Sequence, residues 1–212
     1  SYAFLGITPK LEEKPNSSLI YMINYLINNS IYNESSFIDN ADDLIEKGHY
    51  FEMKKIKYIV YGLSHALIDI LEKGNFSLKN SIIIETGGMK GKRKEISKNE
   101  LHSILAKGFK TNKINSEYGM TELLSQSYCN SNLIFKTPVS KKILIRDIND
   151  PFKISKYGRG PINIIDLANI NSCSFIATDD YGIINSNGFN LLGRYSYLRS
   201  FSHPHDQHLP VL

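Results

Sequence analysis

Apolar positions along the chain follow two periods, one helical and one strand-like, and switch between them several times. Between residues 17 and 29, Leu19, Ile23, Leu26 and Ile27 share one face of a helix that begins after Pro15. Residues 57–61 read as a short buried strand. Leu63, Ala66, Leu67, Ile70 and Leu71 then mark an amphipathic helix, which Gly74 is expected to stop. Residues 81–85 predict the clearest strand, closed by the turn Thr86-Gly87-Gly88. Ser97 and Glu100 have capping-box spacing, so a helix carrying Leu101, Ile104 and Leu105 is expected to open there and to end at Gly108. From Asn132 onward strand patterns dominate, at residues 133–135, 142–146, 161–165, 175–177 and 190–192. Strands alternating with helices predict an α/β fold, a parallel or mixed sheet flanked by helices, followed by β-rich strands.

Composition narrows the setting. The 212 residues suffice for one large domain, or one domain with a small appendage. The net charge of +4 suits an anionic ligand such as a nucleotide. Cys129 and Cys173 are too few for a disulfide framework, and together with the absence of a signal-peptide pattern they lead us to expect a cytoplasmic protein. No apolar run approaches the roughly 18 residues that a membrane span needs, so none is expected. The chain starts at Ser1 without an initiator Met, which suits a fragment or a processed chain.

The sharpest chemical feature is Ser116-Glu117-Tyr118-Gly119-Met120-Thr121-Glu122. It follows a strand-like Lys113-Ile114-Asn115 and is expected to lead into a helix over Leu123-Leu124-Ser125-Gln126. Such a turn would gather free backbone N–H groups near a helix N-terminus, where phosphate binds. Gly119 lets the backbone approach a ligand closely. Thr121 can donate to a phosphate oxygen, and Glu122 offers Mg²⁺ a hard oxygen ligand. Tyr118 presents a flat face to a purine. The same residues read equally well as an ordinary helix start with Thr and Glu in its first turn.

Tyr118-Gly119-Met120-Thr121-Glu122 resembles the Tyr-Gly-x-Thr-Glu signature of the acyl-adenylate-forming superfamily. The resemblance implies that Tyr118 packs on adenine, Thr121 touches the α-phosphate, and Glu122 binds Mg²⁺, with the Gly119 and Met120 backbone beside them. Other segments follow in that family's order. Thr86-Gly87-Gly88-Met89-Lys90-Gly91 looks like the turn lining the adenine pocket, which assigns Gly87 and Gly88 to it. Gly158-Arg159-Gly160-Pro161-Ile162 resembles a strand start of the family. Thr178-Asp179-Asp180 looks like its Thr-Gly-Asp, so Asp180 would grip the ribose hydroxyls. Leu192-Gly193-Arg194 resembles its Leu-Gly-Arg, placing Arg194 near ribose or phosphate.

Within that superfamily the chain is similar to the acyl-protein synthetases of bacterial fatty-acid reductase systems, over residues 1–199. Residues 15–22, 87–95 and 174–180 carry that flavour. The resemblance implies ATP and Mg²⁺ as cofactors, a carboxylic acid, of the fatty-acid class, as substrate, and a thiol on a protein or on coenzyme A as acyl acceptor. It implies a nucleotide-binding domain over residues 1–194 and a tail over 195–212. Two departures matter. The Ser/Thr/Gly-rich pyrophosphate loop of the family has no counterpart here, and no cysteine follows Cys173. The sequence therefore looks truncated on its N-terminal side. A non-catalytic remnant or partner subunit is the alternative reading, and another nucleotide-using α/β enzyme, such as a methyltransferase, is a third.

Lesser candidates rank below these. Lys90, Lys92, Arg93 and Lys94 form a basic cluster, read as a solvated loop. No aromatic-rich signature accompanies it, so no nucleic acid partner is expected. His203, His205, Asp206 and His208 have a metal-like composition but fall in the expected tail. Cys173 is expected to be a small buried core residue, and His65 sits near a helix start.

Overall fold

Strand and helix alternate from Ala3 to Tyr118: β1 (Ala3–Ile7), α1 (Ser18–Asn28), β2 (Ser36–Phe37), α2 (Ala41–Met53), β3 (Tyr58–Leu63), α3 (Ser64–Leu71), β4 (Ser81–Thr86), α4 (Lys98–Phe109) and β5 (Ile114–Tyr118). The computed structural model describes residues 1–89, 91–94 and 96–195. Two units divide the chain, Ser1–Thr121 and Glu122–Leu212. No helix among the described residues is long and apolar enough to cross a membrane.

In the first unit the strands run parallel in the order β2-β1-β3-β4-β5. The order reverses at β1, so right-handed crossovers put α1 on one face of the sheet and α2, α3 and α4 on the other. The main core fits this division. It joins alternate strand residues, Ala3, Leu5, Ile7, Tyr58, Val60, Ile83 and Ile114, to Leu44, Phe51, Leu67, Leu101 and Leu105, and contains no residue of α1. On the α1 side, Gly6 allows a close approach, since a Cβ there would stand 2.9 Å from Ile23 Cγ2.

Local chemistry fixes the helix starts. The Ser17, Asn40 and Ser97 side chains each accept a hydrogen bond from the backbone N–H three residues on. Such caps contribute about 1 kcal/mol each. The expected face of α1 is turned slightly: Ile20 and Ile23 are its buried residues, while Leu19, Leu26 and Ile27 are half-buried. Neither expected glycine stop acts as one. Glu72 caps α3, and Lys110, in the left-handed region at φ 55°, caps α4. Gly108 instead permits close helix packing, because a Cβ there would lie 2.7 Å from the Leu71 side chain.

The second unit is antiparallel. After β6 (Ser127–Cys129) it contains β7 (Lys141–Arg146), β8 (Ile154–Ser155), β9 (Gly158–Asp166), β10 (Phe175–Asn185) and β11 (Gly188–Arg194). Sheet order is β11-β10-β9-β7-β8. The strand expected at residues 133–135 is absent. Leu133 sits at φ 56°, and only a bridge from Phe135 to Phe189 forms, with the two rings stacked 5.3 Å apart.

Phe51 is fully buried and packs its ring 5.1 Å from that of Tyr58. Phe51→Ala should lower the unfolding free energy of the first unit by about 3–5 kcal/mol, the usual cost of an aromatic-sized cavity. Urea denaturation followed by circular dichroism checks this.

Candidate functional site

Open α/β sheets take ligands outside the carboxyl ends of their parallel strands. At that edge of the first unit, β3 passes into α3 with no intervening loop, since Leu63 ends one and Ser64 begins the other. β4 ends at Thr86 and is followed by Gly87 and Gly88, at φ 78° and 62°. A side chain would strain both positions, so the turn requires its two glycines. β5 ends at Tyr118. Glu85 pairs with Ser116 in the ladder, so the glycine turn and Tyr118-Gly119 leave adjacent strands at the same level. Thr86 Oγ1 reinforces the match by donating to Glu117 Oε1 at 3.3 Å. The sequence-predicted residues Gly87, Gly88, Tyr118, Gly119, Met120 and Thr121 therefore share one sheet edge. Tyr118 is 7% exposed, Gly119 and Met120 are half-buried, and Thr121 is open to solvent.

Behind these turns lies a buried carboxylate that the sequence reading overlooked. Glu85 is 0% exposed. Its Oε2 accepts from Ser64 Oγ at 2.5 Å, and its Oε1 accepts from Lys98 Nζ at 2.5 Å and from the Ser116 hydroxyl. Ser64 also reaches the Thr86 carbonyl at 3.1 Å. His102 Nε2 lies 2.8 Å from Ser116 Oγ and 3.9 Å from Glu85 Oε1. The single Ser116 proton goes to Glu85, so His102 must be the donor to Ser116, which puts a proton on its Nε2. Burial pushes the Glu85 carboxyl up, but His102, Lys98 and Ser116 outweigh burial and hold it down to about 2. A signal was available in the sequence. Glu85 shares strand parity with Ser81 and Ile83, both core-facing, and a carboxylate on a core-facing position demands partners.

The helix expected after Glu122 does not form. Residues 121–122 make a turn, residues 124–125 a bend, and β6 follows. The cause lies within the second unit. Asp166 Oδ2 accepts from the backbone N–H groups of Leu124 at 3.0 Å and Ser125 at 2.8 Å, while Lys141 Nζ donates to the Ser125 carbonyl at 3.0 Å. These side chains hold residues 124–125 in a bend that leads into β6. Burial works to raise the Asp166 carboxyl, yet the Ser125 hydroxyl and the N–H groups of Ser125, Ala168 and Leu124 outweigh it and keep it below the usual carboxylate range. No helix therefore starts at the Tyr118–Glu122 segment itself.

Glu122 itself is exposed, and Asn169 Nδ2 anchors its carbonyl at 2.5 Å. Its carboxylate is a hard oxygen donor facing solvent, which fits a magnesium ion that takes its remaining ligands from phosphate and water. Among the described residues no three His, Cys, Asp or Glu side chains cluster as a protein-only metal site.

Elsewhere in the second unit, Asp180 and Arg194 face each other across the β10–β11 ladder. The ladder registers shift around residues 177–182, and bulges of this kind re-aim side chains. Thr178 stitches the irregular stretch by donating to the Ile162 carbonyl at 2.8 Å and accepting from the Asp180 N–H at 3.1 Å. Arg194 Nε lies 3.5 Å from Asp179 Oδ2, with side-chain exposures of 58% and 38%, so the ion pair contributes little and leaves the guanidinium available.

The remaining candidates separate. Cys173 is exposed, contrary to expectation; it lies in the irregular connection before β10, where Ser172 is exposed as well. Arg93 is not simply solvated. Its guanidinium forks onto Glu72 at 2.8 and 2.6 Å and reaches Asp69 at 2.7 Å, docking its loop on α3. Lys92 and Lys94 are exposed. His65 is buried in α3. Lys90 and residues 196–212, including His203, His205, Asp206 and His208, lie outside the described residues. A groove of about 730 Å³ opens between α3 and α4, lined in part by Leu71, Ile104 and Lys107, on the helical face of the unit.

No protein-family model and no curated protein matches the chain. Solved structures do. The chain is similar to O-succinylbenzoate coenzyme A synthetase from Bacillus subtilis, in complex with ATP and magnesium, with a TM-score of 0.57 and 18% identity over 92% of this chain and 42% of that one. It is similar to coronafacic acid ligase from Pectobacterium brasiliense, with a TM-score of 0.58 and 17% identity over 92% of this chain and 39% of that one. A four-domain nonribosomal peptide synthetase bound to AMP and glycine gives a TM-score of 0.59 and 13% identity over 91% of this chain and 16% of that one. The fold is that of adenylate-forming enzymes. The chain spans less than half the length of each of these three proteins.

The Glu85 carboxyl lies below its ordinary value of 4.5 in the folded protein. Its ionised form therefore stabilises the fold above about 4.5, and that contribution is lost as pH falls from there toward about 2. Urea midpoints measured across this window should fall with acidification in the parent protein and fall less steeply in Glu85→Gln.

Proposed function

We propose that this chain is part of an enzyme that uses ATP to activate a carboxylic acid as its acyl-adenylate. We further assign it to the acyl-protein synthetase type, with a fatty acid as substrate and a thiol on a protein or on coenzyme A as final acceptor. One observation carries the reading. The glycine turn and the Tyr-Gly-Met-Thr-Glu segment stand at the carboxyl ends of adjacent parallel strands, in a fold shared with adenylate-forming enzymes.

In this reading the acid's carboxylate oxygen attacks the α-phosphorus of ATP. The bond from that phosphorus to the bridging oxygen breaks, and pyrophosphate leaves. A thiol then attacks the acyl carbon and releases AMP. Gly87 and Gly88 line the adenine pocket, and Tyr118 packs against the base. Thr121 donates its hydroxyl to the α-phosphate, where charge develops during the displacement, and the Gly119 and Met120 backbone supports it. Asp180 accepts from the ribose hydroxyls, and Arg194 approaches ribose or phosphate. Glu122 would hold Mg²⁺, whose charge offsets that of the phosphates. Hydroxyl, backbone and cation supply the stabilisation. The protein's contribution is mainly positioning and charge compensation.

Binding tests the pocket directly. Calorimetric titration should show AMP and ATP binding, and Tyr118→Ala should weaken both by about tenfold, as expected for loss of roughly 1–3 kcal/mol of base–aromatic stacking. A parent protein that binds neither nucleotide at millimolar concentration would sink the reading.

Chemistry tests the metal ligand. Glu122→Gln keeps the side-chain shape and removes the charge. It should leave the melting temperature nearly unchanged and lower carboxylate-dependent adenylate formation by about a hundredfold, near 3 kcal/mol. Adenylation within a few-fold of the parent, at equal folded fraction, would remove Glu122 from the site.

A further inference from the structure

The Glu85 cluster draws on four elements and sits directly behind the two turns assigned to the nucleotide. Ser64 opens α3, Glu85 lies one residue before Thr86-Gly87-Gly88 on β4, Lys98 opens α4, and Ser116 lies two residues before Tyr118 on β5. His102, one helical turn beyond Lys98, completes it through Ser116. The bonds from Ser64, Lys98 and Ser116 converge on one fully buried carboxylate. A hydrophobic residue at this core-facing position would fill the space without desolvating a charge, so core packing alone does not account for a glutamate here.

We infer that Glu85 is a positioning residue for the nucleotide pocket: its buried carboxylate, neutralised by Lys98 and bridged to β5 by Ser116, locks the glycine turn and the Tyr118 segment at a fixed separation. The inference rests on the proposed adenylating function for what the turns hold, and on geometry alone for what holds the turns. Three donors converge on an anion that offers no proton of its own. A carboxamide cannot reproduce this arrangement. With its NH₂ toward Ser64, that hydroxyl can turn to the Thr86 carbonyl 3.1 Å away, but in either orientation Lys98 loses the anion that it neutralises. The two turns would then shift independently. A purine and its phosphate need both turns at once, so affinity falls even where each turn survives by itself. Lys98 has a second task. It cancels a buried negative charge just behind a site meant for phosphate, and an uncompensated anion there would repel the ligand.

The test compares Glu85→Gln, Lys98→Met and Lys98→Arg, with Phe51→Ala as a purely structural control. AMP binding is measured by calorimetry at equal folded fraction, and backbone amide exchange by mass spectrometry. Glu85→Gln and Lys98→Met are expected to raise the Kd for AMP by about tenfold, the size of one lost charge-assisted contact. Lys98→Arg should restore most of it. Exchange should quicken at residues 86–88 and 117–120 and stay unchanged in α1 and β1. Phe51→Ala should lower stability yet leave the Kd unchanged. Should Glu85→Gln fail to fold, Lys98→Met carries the same comparison. If the parent protein binds no AMP, the functional reading falls, and exchange alone judges the positioning role. Faster exchange confined to the two turns would then uphold that role. Unchanged exchange at both turns, or unchanged AMP affinity in both variants of a protein that does bind AMP, overturns the inference.

Discussion

A buried carboxylate is costly unless its surroundings answer it, and the first unit is organised around such an answer. Removing an ion from water costs several kcal/mol even after the protein relaxes. Glu85 recovers this through Ser64, Ser116 and Lys98, which come from three other elements. Each donor sits where its own element requires it. Ser64 and Lys98 are the first helical residues of α3 and α4, and Ser116 is core-facing on β5. The ends of three parallel strands are thereby tied by directional bonds, where packing alone would leave them free to slide. Backbone ladders and apolar contacts hold the sheet together, and these polar contacts fix the carboxyl edge of its strands.

The second unit uses the same device for a different purpose. Asp166 is buried at the end of β9 and accepts the N–H groups of Leu124 and Ser125 together with the Ser125 hydroxyl. It turns the segment after Glu122 into β6 in place of a helix. Thr178 does comparable work in β10, holding Asp180 in an irregular stretch of the ladder by one bond given and one accepted. In both units a polar side chain on a core-facing position fixes the backbone conformation of a segment bearing a candidate ligand-binding residue.

How much of this could be read in advance depended on whether the information was local. α1, α3, α4 and β4 were legible because their apolar periods and caps lie within a single stretch, as Ser97 and Glu100 show. β1 and α2 gave weaker signals. β1 carries only five residues, and the buried face of α2 is sparse, made of Ala41, Leu44, Gly48 and Phe51. Non-local partners decided the misreadings. Leu123-Leu124-Ser125-Gln126 looks helical until Asp166, some forty residues later, claims its N–H groups. Gly108 looks like a helix stop until Leu71 of the neighbouring helix is found against it. The glycine turn and Tyr118 could be proposed from the sequence because their chemistry is compressed into a few adjacent residues. Glu85 was missed because its meaning lies in four partners spread from Ser64 to Ser116.

This difference bears on the chemistry of the proposed site. A helix N-terminus brings a fixed positive potential to a phosphate whether or not the rest of the site is assembled. No helix begins at the Tyr118–Glu122 segment itself. In the proposed site, phosphate would be stabilised there by discrete groups: the Thr121 hydroxyl, neighbouring backbone N–H groups, and a cation on Glu122. Discrete donors act over a hydrogen-bond length and lose most of their value when misplaced by about an ångström. A site built from them depends more heavily on the rigidity of its supports than one resting on a helix dipole. On the inference drawn above, the carboxylate of Glu85, one residue before the glycine turn on β4 and bonded to Ser116 on β5, supplies that rigidity.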